Sequence, residues 1–261
     1  MRPLAIILLL VATLISCATS PLGRKQLVFF PEDQLDQMGV AAYAQAKKDS
    51  PPSTNVVENR YVTCVANAIT AEAKSGPKVW EVTVFNKDEV NAFALPGGKI
   101  GVYTGLLKVA KNQDQLATVI GHEVAHVLAR HGNERVSTAY ATQTGLQVVE
   151  TMVGGASQDK QSIMALLGLG AQVGVILPFS RTQEEEADLL GLDLMAEAGF
   201  DPRASVDLWK NMMAASGNGD PVFLSTHPAS SQRIKELENR LPRAMTLYEQ
   251  ARAKGKVPEC Q

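Results

Sequence analysis

The sequence predicts a mainly helical domain with one small β-sheet, an α+β arrangement, and three observations carry that expectation. Apolar residues recur at helical spacing along most of the chain, as in Leu116, Val119, Ile120, Val124, Val127 and Leu128. Strand-like text, rich in β-branched and aromatic residues, is confined to about 79–103. The composition, 45% hydrophobic and 20% charged, is that of an ordinary globular protein with a buried core. A net charge of −2 over 261 residues offers no basic excess for a phosphate backbone, so nucleic acid is not an expected partner.

The amino terminus reads as a leader. Arg2, the apolar run from Leu4 to Ile15 and the small residues Ser16 and Cys17 follow the order of a secretory signal peptide, assigned to residues 1–16. The run is short for a membrane span. Leu14-Ile15-Ser16-Cys17 resembles a bacterial lipobox, which implies cleavage before Cys17 and attachment of a lipid to its thiol. Ala18, in place of Asp, then implies a lipid-anchored protein of the bacterial outer membrane facing the periplasm. Residues 17–31 are expected as a tether broken by Pro21 and Gly23, and residues 32–261 as the folded domain. With Cys17 lipidated, Cys64 and Cys260 remain. In an oxidising compartment such a pair suggests a disulfide tying the tail to an early helix. Two free thiols are the alternative, since the sequence does not fix the separation a bridge requires.

Glu32 to Asp49 reads as a helix stopped by Ser50-Pro51-Pro52-Ser53. Asn55 can cap the next helix, which runs to about Lys74 ahead of Gly76-Pro77. Val79 to Phe85 suits a strand, and Asn91 to Tyr103 a hairpin turning at Pro96-Gly97-Gly98. Gln113 to His131 returns to helix, and a further helix is expected over Ser137 to Met152. Gln161 to Leu177 is apolar all round and is read as a buried core helix. Thr182 to Ala198 is helical up to Gly199, Asp201-Pro202 starts another helix through Met213, and Gly217 to Gly219 is a loop. A polar helix follows from Ser230, with an extended tail from Lys254.

His122-Glu123-Val124-Ala125-His126 carries the chemistry. Residues four apart on a helix share a face, so both imidazoles can reach one cation. Glu123 faces the open coordination position instead, where it can act as general base toward a water activated by zinc. Gly121, directly before His122, is suited to the close approach of another backbone to this helix. A catalytic zinc also needs a third protein ligand. His131 follows His126 by five positions with no glycine between, which on a continuing helix turns it off the ligand face. It reads as a support behind the ligands or as a cation at the helix end. Glu184 and Asp188 are four apart and share a face: Glu184 can ligate, and Asp188 can accept the ring N–H of a ligating histidine. On geometry alone, Glu185 or Glu186 serves equally well as the ligand.

Four stretches resemble the HtpX-like and CaaX-prenyl-protease-like zinc metallopeptidases, the forty-eighth metallopeptidase family, and in particular its small periplasmic lipoprotein members. They are Asn91 to Gly98 with Tyr103-Thr104-Gly105-Leu106; Gly121 to His126 with His131; Ser180-Arg181 with Glu184, Ala187 and Asp188; and Thr226-His227-Pro228 with Arg233. The resemblance implies a gluzincin-type zinc metalloprotease domain with one zinc ion per chain. It implies Glu184 as the metal ligand, Asp188 as its supporting carboxylate, and Asn91, Ala92, Phe93 and Ala94 as the substrate-binding edge strand. It places His227 near the metal as a catalytic residue, either stabilising the oxyanion or occupying the open zinc position at rest, and leaves Arg233 an ion-pair partner. The expected function is a zinc endopeptidase acting on misfolded or unassembled cell-envelope proteins, held at the membrane by its lipid. The rival is a chaperone-like binding or assembly factor for outer-membrane proteins, with proteolysis weak or latched.

Overall fold

A computed structural model describes residues 17–141, 165, 167, 179–215, 222–228 and 230–261. The leader at 1–16, the loop at 217–219 and most of the helices expected over 137–152 and 161–177 lie outside the described residues.

Several helices begin where a short polar side chain takes an amide proton that has no partner within the helix. Asn55 accepts from the N–H groups of Val57 and Glu58, Asn112 from Gln115, Ser180 from Gln183, and Ser230 from Arg233. In chain order the elements are β1 (Cys17–Thr19), β2 (Lys25–Leu27), α1 (Glu32–Asp49), α2 (Val56–Thr70), β3 (Glu81–Phe85), β4 (Ala92–Leu95) and β5 (Lys99–Tyr103). After a 3-10 turn at Thr104–Lys108 come α3 (Gln113–Leu128), α4 (His131–Ala141), α5 (Arg181–Glu197), α6 (Ala204–Ala215), α7 (Val222–Thr226) and α8 (Ser231–Ala253). The mainly helical α+β expectation holds. Among the described residues no helix is long and apolar enough to cross a membrane.

The three-stranded sheet has the order β3-β5-β4. β5 lies at its centre, parallel to β3 and antiparallel to β4, with Ala92 opposite Val102 and Leu95 opposite Lys99. Gly97 and Gly98 make the β4–β5 turn at φ 76 and 70, values open mainly to glycine. Alternation along the strands sends side chains to two cores. Ala92, Ala94, Ile100 and Val102 join the larger core with α2, α3, α5, α6 and α8. Phe93, Leu95, Tyr103 and Phe85 join Leu35 and Tyr43 of α1 in the smaller one. β4 is therefore an edge strand lying beside α3.

Every residue of α3 from Gln115 to His126 is buried. Gly121 meets Gly191 of α5 there: a Cβ on Gly121 would sit 2.8 Å from the Gly191 carbonyl oxygen, and one on Gly191 would sit 2.7 Å from His122 N. Two bare backbones thus cross at the motif, the close approach expected at Gly121. The Cys64–Cys260 disulfide is present. Gln113 secures the same tail, donating to Pro258 O and accepting from Cys260 N, both at 2.9 Å.

Two expectations are corrected. Residues 17–31 are not an irregular tether: β1 and β2 pair as an antiparallel hairpin, Gln26 Nε2 donates to Ala129 O at 2.5 Å, and Phe29 N donates to Ser137 Oγ at 2.8 Å. These partners come from far along the chain, and no local pattern announces them. The motif helix does not run to His131. It ends at Leu128, Arg130 takes φ 56, and His131 opens α4. An arginine in the left-handed region is uncommon; here its side chain pairs with Glu32 while Gln26 takes the Ala129 carbonyl. Short α7, for which the sequence gives no periodic signal, delivers His227.

Candidate metal centre

Three separate elements converge on one buried point. On α3, one helical turn brings His122 and His126 together with their Nε2 atoms 3.0 Å apart. α5 brings Glu184, whose Oε2 and Oε1 lie 3.5 Å from His122 Nε2 and His126 Nε2 respectively. The capping box of Ser180 and Gln183 fixes the first turn of α5, which leads directly into Glu184. Past the end of α7, His227 Nδ1 lies 3.2 Å from His122 Nε2 and 2.9 Å from Glu184 Oε1. One ligand atom from each of these four residues lies within 4.8 Å of the others. Phe179 and Phe223 pack against His126 and His227, with ring centroids at 4.1 and 4.5 Å, and shield the cluster from water.

The remaining contacts orient these groups. His122 Nδ1 lies 3.0 Å from Asp188 Oδ1. A carboxylate there holds the ring proton on Nδ1 and leaves a lone pair on Nε2, aimed into the cluster. Arg233 donates through Nε and Nη2 to Asp188 at 2.6 and 2.8 Å, and its Nη1 lies 2.7 Å from Glu184 Oε2. One guanidinium thus fixes two carboxylates, while its plane covers Trp209 at 4.1 Å. His126 Nδ1 faces His131 Nδ1 at 2.9 Å. Glu186 belongs to this outer layer, 3.2 Å from His131 Nε2, and Glu185 is absent from the converging group.

The electrostatics suit a cation. Burial raises the Glu184 carboxyl, but His227, Arg233, His122 and His126 outweigh it and hold it well below the usual carboxylate range. Burial also opposes ionisation of Asp188, and Arg233 overcomes it. For His122, burial disfavours the charge, yet Asp188 and Glu184 raise the imidazole to about 9. For His126, burial and the neighbouring His122 and His131 prevail, and it is pushed well below its ordinary value. A buried cluster that draws a proton onto one imidazole while a carboxylate stays ionised is short of positive charge at its centre. Convergent imidazole nitrogens with a carboxylate oxygen are the donor set a borderline-soft divalent metal takes. The residues present fit such an ion.

Glu123 sits beside the cluster. Its Oε2 accepts from Ala94 N at 3.2 Å. Its Oε1 is buried without a hydrogen-bond partner among the described residues, 3.4 Å from His227 Nε2. Burial raises this carboxyl, against the lowering by His227 and His122. The contact with Ala94 shows that the free edge of β4 faces Glu123. Of the four edge residues expected to bind substrate, Asn91 is buried, and Phe93 turns its ring into the cluster with Tyr43, Phe85 and Tyr103. Tyr103 N donates to Asn91 O, so by antiparallel alternation the polar groups of Ala92 and Ala94 point outward while those of Phe93 pair with β5.

His122, His126, Glu184, Asp188, Glu123 and His227, all marked in the sequence, lie together here. Gly191, the double grip of Arg233, the aromatic cover and Arg24, whose Nε reaches Glu186 Oε2 at 2.9 Å, are additions from the tertiary structure. Of these, only Arg233 carries a signal in the sequence, through its place in the Thr226-His227-Pro228 stretch.

A profile described as Peptidase family M48 matches residues 57–241. Mitochondrial metalloendopeptidase OMA1 of Schizosaccharomyces pombe is 39% identical over 191 residues, which are 72% of this chain and 55% of that protein. OMA1 of Arabidopsis thaliana is 41% identical over 176 residues, 67% of this chain and 34% of that protein. The β-barrel assembly-enhancing protease of Escherichia coli is 28% identical over 210 residues, 78% of this chain and 43% of that protein. The chain thus spans about half, or less, of the length of these relatives. The comparisons correct the expected bacterial outer-membrane location. Relatives at 39% and 41% identity are named as mitochondrial enzymes of eukaryotes, whereas the bacterial relative matches at 28%. A charge, a short apolar run and a small residue form a degenerate signal, too short to fix a compartment.

Proposed function

The chain belongs to peptidase family M48, and from that premise we propose that it is a zinc-dependent endopeptidase holding one zinc ion through His122, His126 and Glu184. The observation that carries this reading is the meeting of both Nε2 atoms with the Glu184 carboxylate beside a buried, unpartnered Glu123 oxygen. A bound zinc supplies Lewis acidity, polarising a peptide carbonyl and acidifying water. Glu123 Oε1 receives the proton of the attacking water and returns it to the departing amine. Burial, which raises this carboxyl, makes it the better base. Asp188 and Arg233 keep the His122 ring and the Glu184 carboxylate in place, so the ligands need no rearrangement when substrate arrives.

The outward carbonyl groups of Ala92 and Ala94 suit an extended peptide laid along the β4 edge, where the two N–H groups are held by Asn91 Oδ1 and Glu123 Oε2, and a peptide so placed runs its scissile bond past Glu123. A peptide must be locally unfolded to lie there. We therefore assign misfolded or unassembled proteins as the substrate class, a reading in keeping with a relative named for enhancing β-barrel assembly.

A second reading concerns His227, whose Nδ1 lies among the ligand atoms while its Nε2 lies 3.4 Å from Glu123 Oε1. In this arrangement His227 is a fourth ligand that closes the site at rest, and proteolysis waits on its withdrawal. The test is cleavage of an unfolded protein by the zinc-loaded chain and by its Glu123→Gln and His227→Ala forms. Loss of at least about a hundredfold in Glu123→Gln supports the base, since general catalysis of this kind contributes that much. Faster cleavage by His227→Ala supports the latch, and slower cleavage supports an oxyanion role. Equal cleavage by Glu123→Gln and the parent refutes the mechanism. Client binding without cleavage by the parent or by His227→Ala supports an assembly factor.

A further inference from the structure

Among the described residues His126 has no carboxylate behind its Nδ1, whereas His122 has Asp188. Its Nδ1 instead faces His131 Nδ1 at 2.9 Å, and both rings are buried. Two imidazole nitrogens at that distance share one proton, so one must donate and the other accept. A histidine that ligates through Nε2 keeps its proton on Nδ1, and His126 is therefore the donor. His131 must then present a lone pair on Nδ1 and carry its own proton on Nε2. That nitrogen has an acceptor, Glu186 Oε2, at 3.2 Å. The same oxygen accepts from Arg24 Nε at 2.9 Å. Arg24 is anchored in turn by Glu134, which accepts from Nη1 at 2.6 Å and Nη2 at 2.7 Å, and Glu134 also accepts from Gln183 Nε2 at 2.8 Å. Only one placement of protons satisfies the chain from end to end.

We infer that the β1–β2 hairpin is a working part of the metal centre: Arg24, acting through Glu186 and His131, fixes the tautomer and tilt of His126. The inference rests on the zinc reading above. His131, Glu186 and Arg24 are positioning residues; none of them belongs to the converging group. The break between α3 and α4 serves this arrangement. With α3 ended at Leu128 and Arg130 in the left-handed region, His131 starts a new helix and its ring turns back onto His126. Displacing the hairpin removes the cation that holds Glu186, and the metal site loosens without any ligand being touched.

The experiment measures zinc dissociation constants for the full chain by competition with a chromophoric chelator, alongside unfolding midpoints of the metal-free proteins. His131→Phe is expected to weaken zinc by about 10- to 100-fold, the range for partners of ligating histidines. His131→Gln should recover most of this, because its amide oxygen accepts from His126 while its N–H donates to Glu186. Arg24→Met should weaken zinc by a smaller factor, and that factor should shrink when His131 is already Phe, because the route is then cut. A contact that is merely structural lowers the metal-free midpoint and leaves the zinc constant alone. Unchanged zinc affinity in His131→Phe, or an Arg24→Met loss undiminished in the His131→Phe background, overturns the inference. Should His131→Phe fail to fold, Arg24→Met decides alone: unaltered affinity overturns the inference, and weakened affinity supports it. A parent chain that binds no zinc overturns the metal reading instead, a separate outcome.

Discussion

Replacing Gly121 by alanine tests the claim that two bare backbones place the metal ligands. In an uncrowded helix this substitution stabilises by about 1 kcal/mol, because glycine loses more backbone entropy on folding. Here the new Cβ meets the Gly191 carbonyl oxygen at 2.8 Å, where ordinary contact begins at 3.4 Å. The obstacle is backbone, so no side chain can swing aside, and α3 and α5 must part by about 0.6 Å, the difference of those two distances. Overpacking of this kind costs about 1–3 kcal/mol. Setting the helical gain against it leaves a net loss of about 0–2 kcal/mol. The larger effect falls on the metal, because α3 carries His122 and His126 while α5 carries Glu184. Urea unfolding of the metal-free protein and zinc competition measure the two effects separately. A Gly121→Ala chain that gains about 1 kcal/mol and binds zinc as the parent does would refute the reasoning. Gly191→Ala should behave alike, and the double variant worse than either.

Chelation of the metal should abolish cleavage and restore it on adding zinc; activity that survives exhaustive chelation contradicts a metal-dependent reaction. Replacing Cys64 and Cys260 by serine opens a loop of 196 residues and should lower unfolding free energy by about 2–5 kcal/mol, with an unchanged midpoint opposing that expectation. The hydrogen bonds from His131, Ser20 and Arg24 overcome burial and hold the Glu186 carboxyl at about 2, below its ordinary 4.5. A depressed carboxyl contributes stability above its unfolded value and loses it as pH falls through the folded one. Acid unfolding should therefore steepen between pH 4.5 and about 2, and Glu186→Gln should flatten that limb. His122, raised from 6.5 to about 9 in spite of burial, has the opposite sign. Its contribution is complete below pH 6.5 and disappears as pH rises toward 9, so metal-free protein should lose stability over that interval, and a flat profile there would count against the buried ion pairs.

What was legible in the sequence was what one helix or one turn can encode. His122 and His126 share a helix face by spacing alone, Asn55 and Ser230 announce helix starts, and Pro96-Gly97-Gly98 announces a turn that needs positive φ. Glu184 and Asp188 were visible as a pair on one face, but choosing among three adjacent glutamates required the family pattern. The unreadable part is tertiary. Arg24 lies 162 residues from Glu186, and nothing near either residue marks the other. Gly191 looks like any helical glycine until Gly121 is laid across it. The end of α3 at Leu128 hid for a related reason: the text there is apolar and helical, and the break is stabilised by Gln26 and Glu32 from elsewhere. Phe93 belongs to the edge strand that the family pattern marks, and its alternating position sends its ring to the opposite core, a direction set by the sheet rather than by the motif.

The most direct test of the metal assignment is zinc content and zinc-edge X-ray absorption on the purified chain. One zinc per chain is expected in a nitrogen and oxygen shell with imidazole scattering, at about 2.0–2.2 Å and with no sulfur near about 2.3 Å. The metal should be lost from His126→Ala and from Glu184→Ala. Zinc that stays bound with an unaltered spectrum in both variants, or a sulfur shell in the parent, would contradict that assignment.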